Sequence, residues 1–199
     1  MNQSNSNPSF SEADLAFRFT PGCLCLNLVA TIGERGDRKI ERLRNREDLA
    51  KWCQKAGILD ELPRVETKEL SSTKELREAI YRVTQAIISS DRPQLEDLET
   101  INFRAKFPPP VPQLLTENRT KVYRADRPIE AALSAIARDA IDLLSSSRIN
   151  RIKACANPQC QMLFLDTSRP GNRRWCLMTG KGCGNRAKKA AFRQRQKNA

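Results

Sequence analysis

The stretch "CANPQCQMLFLDTSRPGNRRWCLMTGKGCGNR", residues 155–186, holds four of the chain's seven cysteines. They fall as two close pairs, Cys155/Cys160 and Cys176/Cys183, with spacing C-x4-C, fifteen residues, C-x6-C. Each pair suits a turn that aims two sulfurs at a common centre, and two such turns are the arithmetic of a tetrahedral four-cysteine zinc site. Cys155, Cys160, Cys176 and Cys183 are therefore the candidate metal ligands, with Zn2+ as the expected cofactor. The segment between the pairs must go out and return. Met162–Leu165 reads as a strand, Arg169-Pro-Gly-Asn as a turn and Arg174–Trp175 as the returning strand.

Beyond the last pair, residues 184–197 are mostly good helix formers. Cys183 would lie at or near the helix N-terminus, where the dipole favours a thiolate. Gly184 lets the backbone approach the sulfurs, and Asn185 is placed to cap the turn. Knuckle, hairpin, knuckle and helix make a treble-clef-like arrangement. About 45 residues hold too little core to fold unaided, so the metal would supply much of this segment's stability.

Charge is distributed just as unevenly. The chain of 199 residues has a formal net charge of +12. Residues 148–199 carry 13 Lys or Arg and one acid, Asp166, whereas residues 1–147 carry 22 basic and 22 acidic residues. A neutral body with a cationic end points to a polyanion partner, with duplex DNA expected. At 100° per residue Arg186, Lys189, Arg193 and Lys197 form one stripe of the last helix, with Lys188 and Arg195 opposite. Arg173 and Arg174, just before Cys176, join them as candidate nucleic-acid contacts. Arg186 has a second reading, in which it reaches back to a knuckle carbonyl or pairs with Asp166. An RNA-binding module is the alternative function; the end segment offers only Phe164, Trp175 and Phe192 for stacking, and the first two read as core.

There is no histidine, which removes Ser-His-Asp and Cys-His catalysis and mixed Cys/His zinc sites. No nucleotide loop or recognisable catalytic pair stands out, so the chain is not expected to be an enzyme; an active site in the N-terminal domain is the lesser alternative. Cys23, Cys25 and Cys53 lie on apolar segments and read as core. No run reaches the roughly 18–20 apolar residues of a membrane span. The polar start "MNQSNSNPS" lacks the apolar core of a signal peptide, so a reducing cytoplasm is expected.

The sequence predicts a mainly α fold with minor β content: a disordered leader over 1–12, a helical domain over 13–147 and a zinc finger with its basic helix over 148–199. "FRF", 17–19, suggests a short strand, and "CLCLNLVATI", 23–32, a buried helix or strand. Asn45 caps a helix with Leu49, Trp52, Cys53 and Ala56 on one face and Gly57 at its end. Ser72 and Glu75 form a capping box for a helix with Leu76, Ile80, Val83 and Ile87 inward. A further helix begins near Pro93 with Leu95, Leu98 and Ile101 inward. "KFPPPVP", 106–112, breaks it, with short strands at 113–115 and 121–123. Pro128 opens a helix whose stripe is Ile129, Leu133, Ile136, Ala140 and Leu143 or Leu144. Arg18, Asn27 and Arg44 are the polar candidates for a small-molecule effector pocket, and dimerisation is the other expected role for this domain.

The motif "CANPQCQMLFLDTSRPGNRRWC…CGNRAKKAAFRQR" resembles the CGNR zinc finger family, whose name is spelled by Cys183, Gly184, Asn185 and Arg186. "FRFTPGCLCLNLVAT", "REDLAKWCQKAGIL" and "ELREAIYRVTQAI" resemble that family's usual partner, the ABATE domain. The resemblance implies a bacterial, stress-linked transcription regulator with the finger as its DNA binder, and zinc ligands at the four paired cysteines. One departure is visible: "LMTGKG" lengthens the gap before C-G-N-R and is expected to bulge as a loop.

Overall fold

The computed structural model describes residues 10–116 and 119–197. Residues 1–9 of the expected leader lie outside the described residues. Its end is helical rather than disordered: Ser11 caps a short helix α1, Glu12–Leu15, with reciprocal hydrogen bonds to Asp14. The strand read at "FRF" does not form. Phe17 and Phe19 pack edge to face, and Phe19 stacks on Trp52 with ring centroids 6.3 Å apart. The ambiguous run after it resolves into helix α2, Leu24–Val29, followed by a tight antiparallel pair, β1 (Ile32–Gly33) with β2 (Ile40–Glu41).

Helix α3, Arg46–Lys55, starts where Asn45 accepts the Asp48 N–H at 2.8 Å and stops before Gly57, which adopts φ +70°. Helix α4, Thr67–Ile88, begins one and a half turns before the capping box read at Ser72. Glu66 and Glu69 form that box instead, and the Ser71 and Thr73 hydroxyls bond back to carbonyls inside the helix. Helix α5, Leu95–Ala105, buries Ile101 but leaves Leu95 68% exposed, contrary to the inward placement predicted for it. An antiparallel hairpin follows, β3 (Val111–Leu115) with β4 (Thr120–Arg124). Helix α6, Pro128–Leu144, has the predicted start and stripe, with Ile129, Leu133, Ile136, Ala140 and Leu143 all buried.

Helices α2, α4 and α6 pack against one another, α5 lies across α4 and α6, and Trp52 of α3 closes the core with Leu26, Leu76 and Ile80. Cys53 belongs to this core, and burial pushes its thiol up to about 12. Cys25 is buried there too, but its neighbour Cys23 is only half-buried. Their sulfurs are 3.6 Å apart, and Asp139 accepts the Cys25 N–H at 2.7 Å.

A 3-10 turn, Ser147–Arg151, leads into β5 (Ile152–Ala154), which pairs antiparallel with β6 (Leu163–Leu165). The strand after the first knuckle thus pairs backward, with the strand that enters it, and Arg174–Trp175 form no returning strand. One bond, Ala156 N–H to the Arg174 carbonyl at 2.8 Å, ties that segment in. Ile152, Leu163 and Leu165 belong to the same apolar cluster as the helices, and the Leu165 N–H donates to the Pro21 carbonyl at 2.7 Å. The knuckle is seated on the helical body.

Gly36 marks a second point of seating. Its N–H donates to the Gln159 carbonyl at 3.2 Å, and a β-carbon there would overlap the Pro158 carbonyl oxygen. Gly36→Ala should therefore cost about 1–3 kcal/mol by forcing the knuckle away from the body. Urea denaturation checks this; an unchanged midpoint would show that the contact yields freely.

Candidate metal centre and the helix it starts

The first knuckle is shaped by Asn157. Its carbonyl accepts the N–H groups of Cys160 and Gln161, its side-chain oxygen accepts the Gln159 N–H, and its amide donates toward the Cys183 sulfur at 3.5 Å. The Cys155 N–H donates to the Met162 carbonyl at 2.9 Å, closing the loop around both sulfurs. The second pair is spanned by the 177–182 loop, the bulge expected from the long gap. Gly184 N–H bonds the Leu177 carbonyl at 3.0 Å. Asn185 donates its amide to the Gly180 carbonyl at 2.6 Å, so it pins the loop rather than capping the helix N–H groups. Helix α7, Cys183–Lys197, begins at the fourth sulfur.

Between the pairs, Asp166 organises the turn. It is fully buried and accepts from the Ser168 N–H and hydroxyl, the Arg173 N–H and the Lys153 ammonium. Burial raises its pKa, but these donors outweigh that and hold the carboxyl below its usual range. Its stabilising contribution is therefore complete above the ordinary carboxylate pKa and is lost as pH falls through the lower folded value. The stability gap between wild type and Asp166→Asn should be full at neutral pH and shrink below about pH 4. Denaturant midpoints across that range test it; a constant gap would mean the charge contributes nothing.

All four sulfurs are buried and lie within 4.8 Å of one another, with Cys160 and Cys176 at 3.8 Å. Zinc with Zn–S bonds of about 2.3 Å needs sulfur–sulfur edges of about 3.8 Å, so the cluster has the size of a tetrahedral zinc shell. Without a cation the crowded thiols cannot all ionise. Hydrogen bonds from its three neighbours hold Cys183 well below the usual thiol range, and those from Cys160 and Cys176 bring Cys155 to about 6. Cys160 and Cys176 are pushed up, Cys160 first of all by its bond to Cys155 and Cys176 by its bonds to the other three. Cys155, Cys160, Cys176 and Cys183 would hold a divalent ion as four thiolates, and its charge would resolve this conflict. The soft, neutral-ligand-free donor set suits Zn2+. Its role would be structural: four protein ligands leave no open position.

Arg186 donates to the Cys183 sulfur at 3.2 Å, which offsets thiolate charge; it does not pair with Asp166. Arg173 donates to the Cys176 carbonyl at 2.7 Å and lies over the Phe164 ring. Both are held by the knuckle. Arg174 is exposed, and every residue of α7 from Lys188 to Lys197 is exposed, including Phe192 at 60%. Lys188, Lys189, Arg193, Arg195 and Lys197 make no hydrogen bond or ion pair among the described residues. Phe164 is buried and Trp175 half-buried, as the sequence suggests.

Residues 151–196 match the CGNR zinc finger, and residues 22–147 match ABATE, described as "Putative stress-induced transcription regulator". The chain belongs to the ABATE family. The ABATE domain comes first and the CGNR finger second, in the order the motifs imply. A search among curated proteins finds no match. The match to the CGNR zinc finger and the four buried cysteines Cys155, Cys160, Cys176 and Cys183, positioned to bind one metal ion, are consistent with Zn2+. Among the described residues no helix is long and apolar enough to cross a membrane. Of the three polar residues suggested for an effector pocket, Arg44 is tied to Asp48 and Asn27 keeps a buried side-chain oxygen without a partner. Only Arg18 lines a cleft that reaches the finger. Sequence reasoning missed Asn157 as the organiser of the knuckle, for which an Asn two residues after Cys155 is the available signal, and Arg42 as a buried cation, for which the sequence holds none.

Proposed function

We propose that this chain is a DNA-binding transcription regulator in which zinc fixes the start of α7, α7 lies against duplex DNA, and the ABATE domain senses a small effector or dimerises. The observation that supports this best is α7 itself. It starts at a metal ligand, projects about 22 Å at 1.5 Å per residue, and carries cations that are unpaired within the described residues, with no acid among them. A helix of that diameter fits the major groove. Arg174, Lys188, Lys189, Arg193, Arg195 and Lys197 supply the contacts, while Arg173 and Arg186 support the knuckle that aims them. The protein acts by binding rather than by catalysis.

Salt dependence separates docking on phosphates from a merely soluble tail. About four phosphate contacts would give a slope near −3.6 in log K against log salt. Fluorescence anisotropy with duplex DNA and single-stranded RNA over a salt series tests the reading. Tighter binding to RNA would favour the RNA-binding alternative, for which exposed Phe192 offers one stacking surface. Absence of binding to either would reduce α7 to a solubilising extension.

A further inference from the structure

Among the described residues two arginines, Arg42 and Arg77, are almost wholly buried, and they are treated in opposite ways. Arg77 has two carboxylates: Glu41 takes it bidentately at 2.8 Å, and Glu78 takes its Nε at 2.8 Å. Arg42 is 4% exposed and has no carboxylate partner among the described residues. One Nη donates to the Ala30 carbonyl at 3.0 Å, and its buried Nε has no partner. Burial first, then the nearby charge of Arg18, lowers its pKa to about 10. A buried guanidinium without a counter-charge is costly, and proteins rarely keep one unless something anionic joins it.

Arg42 lines a cleft of about 240 Å³ between the helical body and the zinc knuckle. The body contributes Arg18, Arg38 and Arg42, and the knuckle contributes Lys181, Gly182, Arg186 and the edge of the sulfur cluster at Cys160, Cys176 and Cys183. Arg18 is half-buried and makes no hydrogen bond or ion pair among the described residues. The two acids on the wall, Asp14 and Glu34, are both occupied by Arg38, at 3.1 and 2.7 Å. Even with a zinc–tetrathiolate centre counted at −2, the lining keeps a surplus positive charge. Backbone room is also provided: a β-carbon on Gly33 would lie 2.5 Å from both terminal nitrogens of Arg42, so only glycine lets the guanidinium lie in this place.

We propose that this cleft is a binding site for a small oxyanion, the phosphate or carboxylate group of a compact metabolite, held by Arg42 and Arg18 from the body and Lys181 from the finger loop. The volume is below the roughly 300–1,000 Å³ of sites for drug-sized ligands, which limits the occupant to a small molecule. Arg42 supplies a fixed, desolvated fork for two oxygens; Arg18 and Lys181 close on the ligand from the rim. The site deepens the sensing half of the regulator reading and names the effector's chemistry. It does not require that α7 bind DNA. Because the lining comes from both halves of the molecule, occupancy would draw the 177–182 loop, and with it the first turn of α7, toward the body.

The test is calorimetric titration of the full-length, zinc-loaded chain with inorganic phosphate and, separately, with malonate. Saturable binding at one site per chain by either anion is expected, and the stronger of the two identifies the tetrahedral or planar class. Arg18→Gln and Arg42→Gln should each weaken it at least tenfold with zinc retained. If Arg42→Gln does not fold, Arg18→Gln on the half-buried rim carries the test. The double variant Lys189→Glu/Arg193→Glu should bind the anion as wild type does, which separates this site from any DNA surface. Three results would overturn the proposal: no saturable binding of either anion, unchanged affinity in Arg18→Gln, or loss of binding in the α7 variant. In the first of these cases, faster loss of zinc to a chelator from Arg42→Gln would assign Arg42 to the sulfurs instead.

Discussion

Cys183→Ser is expected to abolish stoichiometric zinc binding and release α7 from its base, with the helical body still folded. Structural zinc in small fingers carries an apparent binding free energy of roughly 10–16 kcal/mol, and the loss of one thiolate removes a large part of it. Cys183 matters doubly, because it is both the fourth sulfur and the first residue of α7. The damage should stop near Asp166. Ile152, Leu163 and Leu165 are held by the helical core, and Asp166 is tied to Lys153 within the β5–β6 hairpin. Limited trypsin digestion should therefore cut first between Arg173 and Lys197, leaving a resistant fragment that contains all of the body. Metal content measured alongside decides the matter: a variant that keeps its zinc would remove Cys183 from the ligand set, and a body that melts with the finger would show that the two are one cooperative unit.

The second large effect is expected on DNA. Lys189→Glu with Arg193→Glu reverses two cations on one stripe of α7, at positions exposed and without partners among the described residues. Affinity for duplex DNA should fall at least about a hundredfold at low salt, and the salt slope should flatten by about 1.8 as two phosphate contacts are lost. Zinc content and the thermal transition should not change, since neither residue touches the knuckle. Equal affinity in the variant would place the nucleic-acid surface elsewhere on the chain.

The sequence was a good guide where local chemistry decides structure. Asn45, Gly57 and Pro128 each mark a helix end through their own backbone or side chain, and all three ends lie where those residues put them. The four-cysteine cluster was legible for the same reason, because paired thiols at short spacing have few other uses. Two capping boxes of similar quality compete at the start of α4, and the choice of Glu66 over Ser72 depends on how far the helix can be packed, which periodicity does not report. Leu95 fits the stripe of α5 yet is exposed at the start of the helix, where none of the described residues buries it. The strand partner of β6 was misread because Asp166 gathers Ser168 and Arg173 into a closed loop, leaving the segment at 174–175 a single bond from the knuckle instead of a ladder. Charge alone reads Arg173 as a free cation and leaves Arg186 open between a DNA contact and a reach back into the knuckle; which cations are already engaged depends on distances that only the folded knuckle sets.

From Lys188 onward every described residue of α7 is exposed, so its heading is set mainly by the residues around Gly184. Such a rod is a lever with a short fixed end. A tilt of about ten degrees at its base carries Lys197 sideways by about 4 Å over a length of about 22 Å, enough to take a cation off the phosphate it would reach. Small rearrangements of the loop at 177–182 are thereby magnified at the tip.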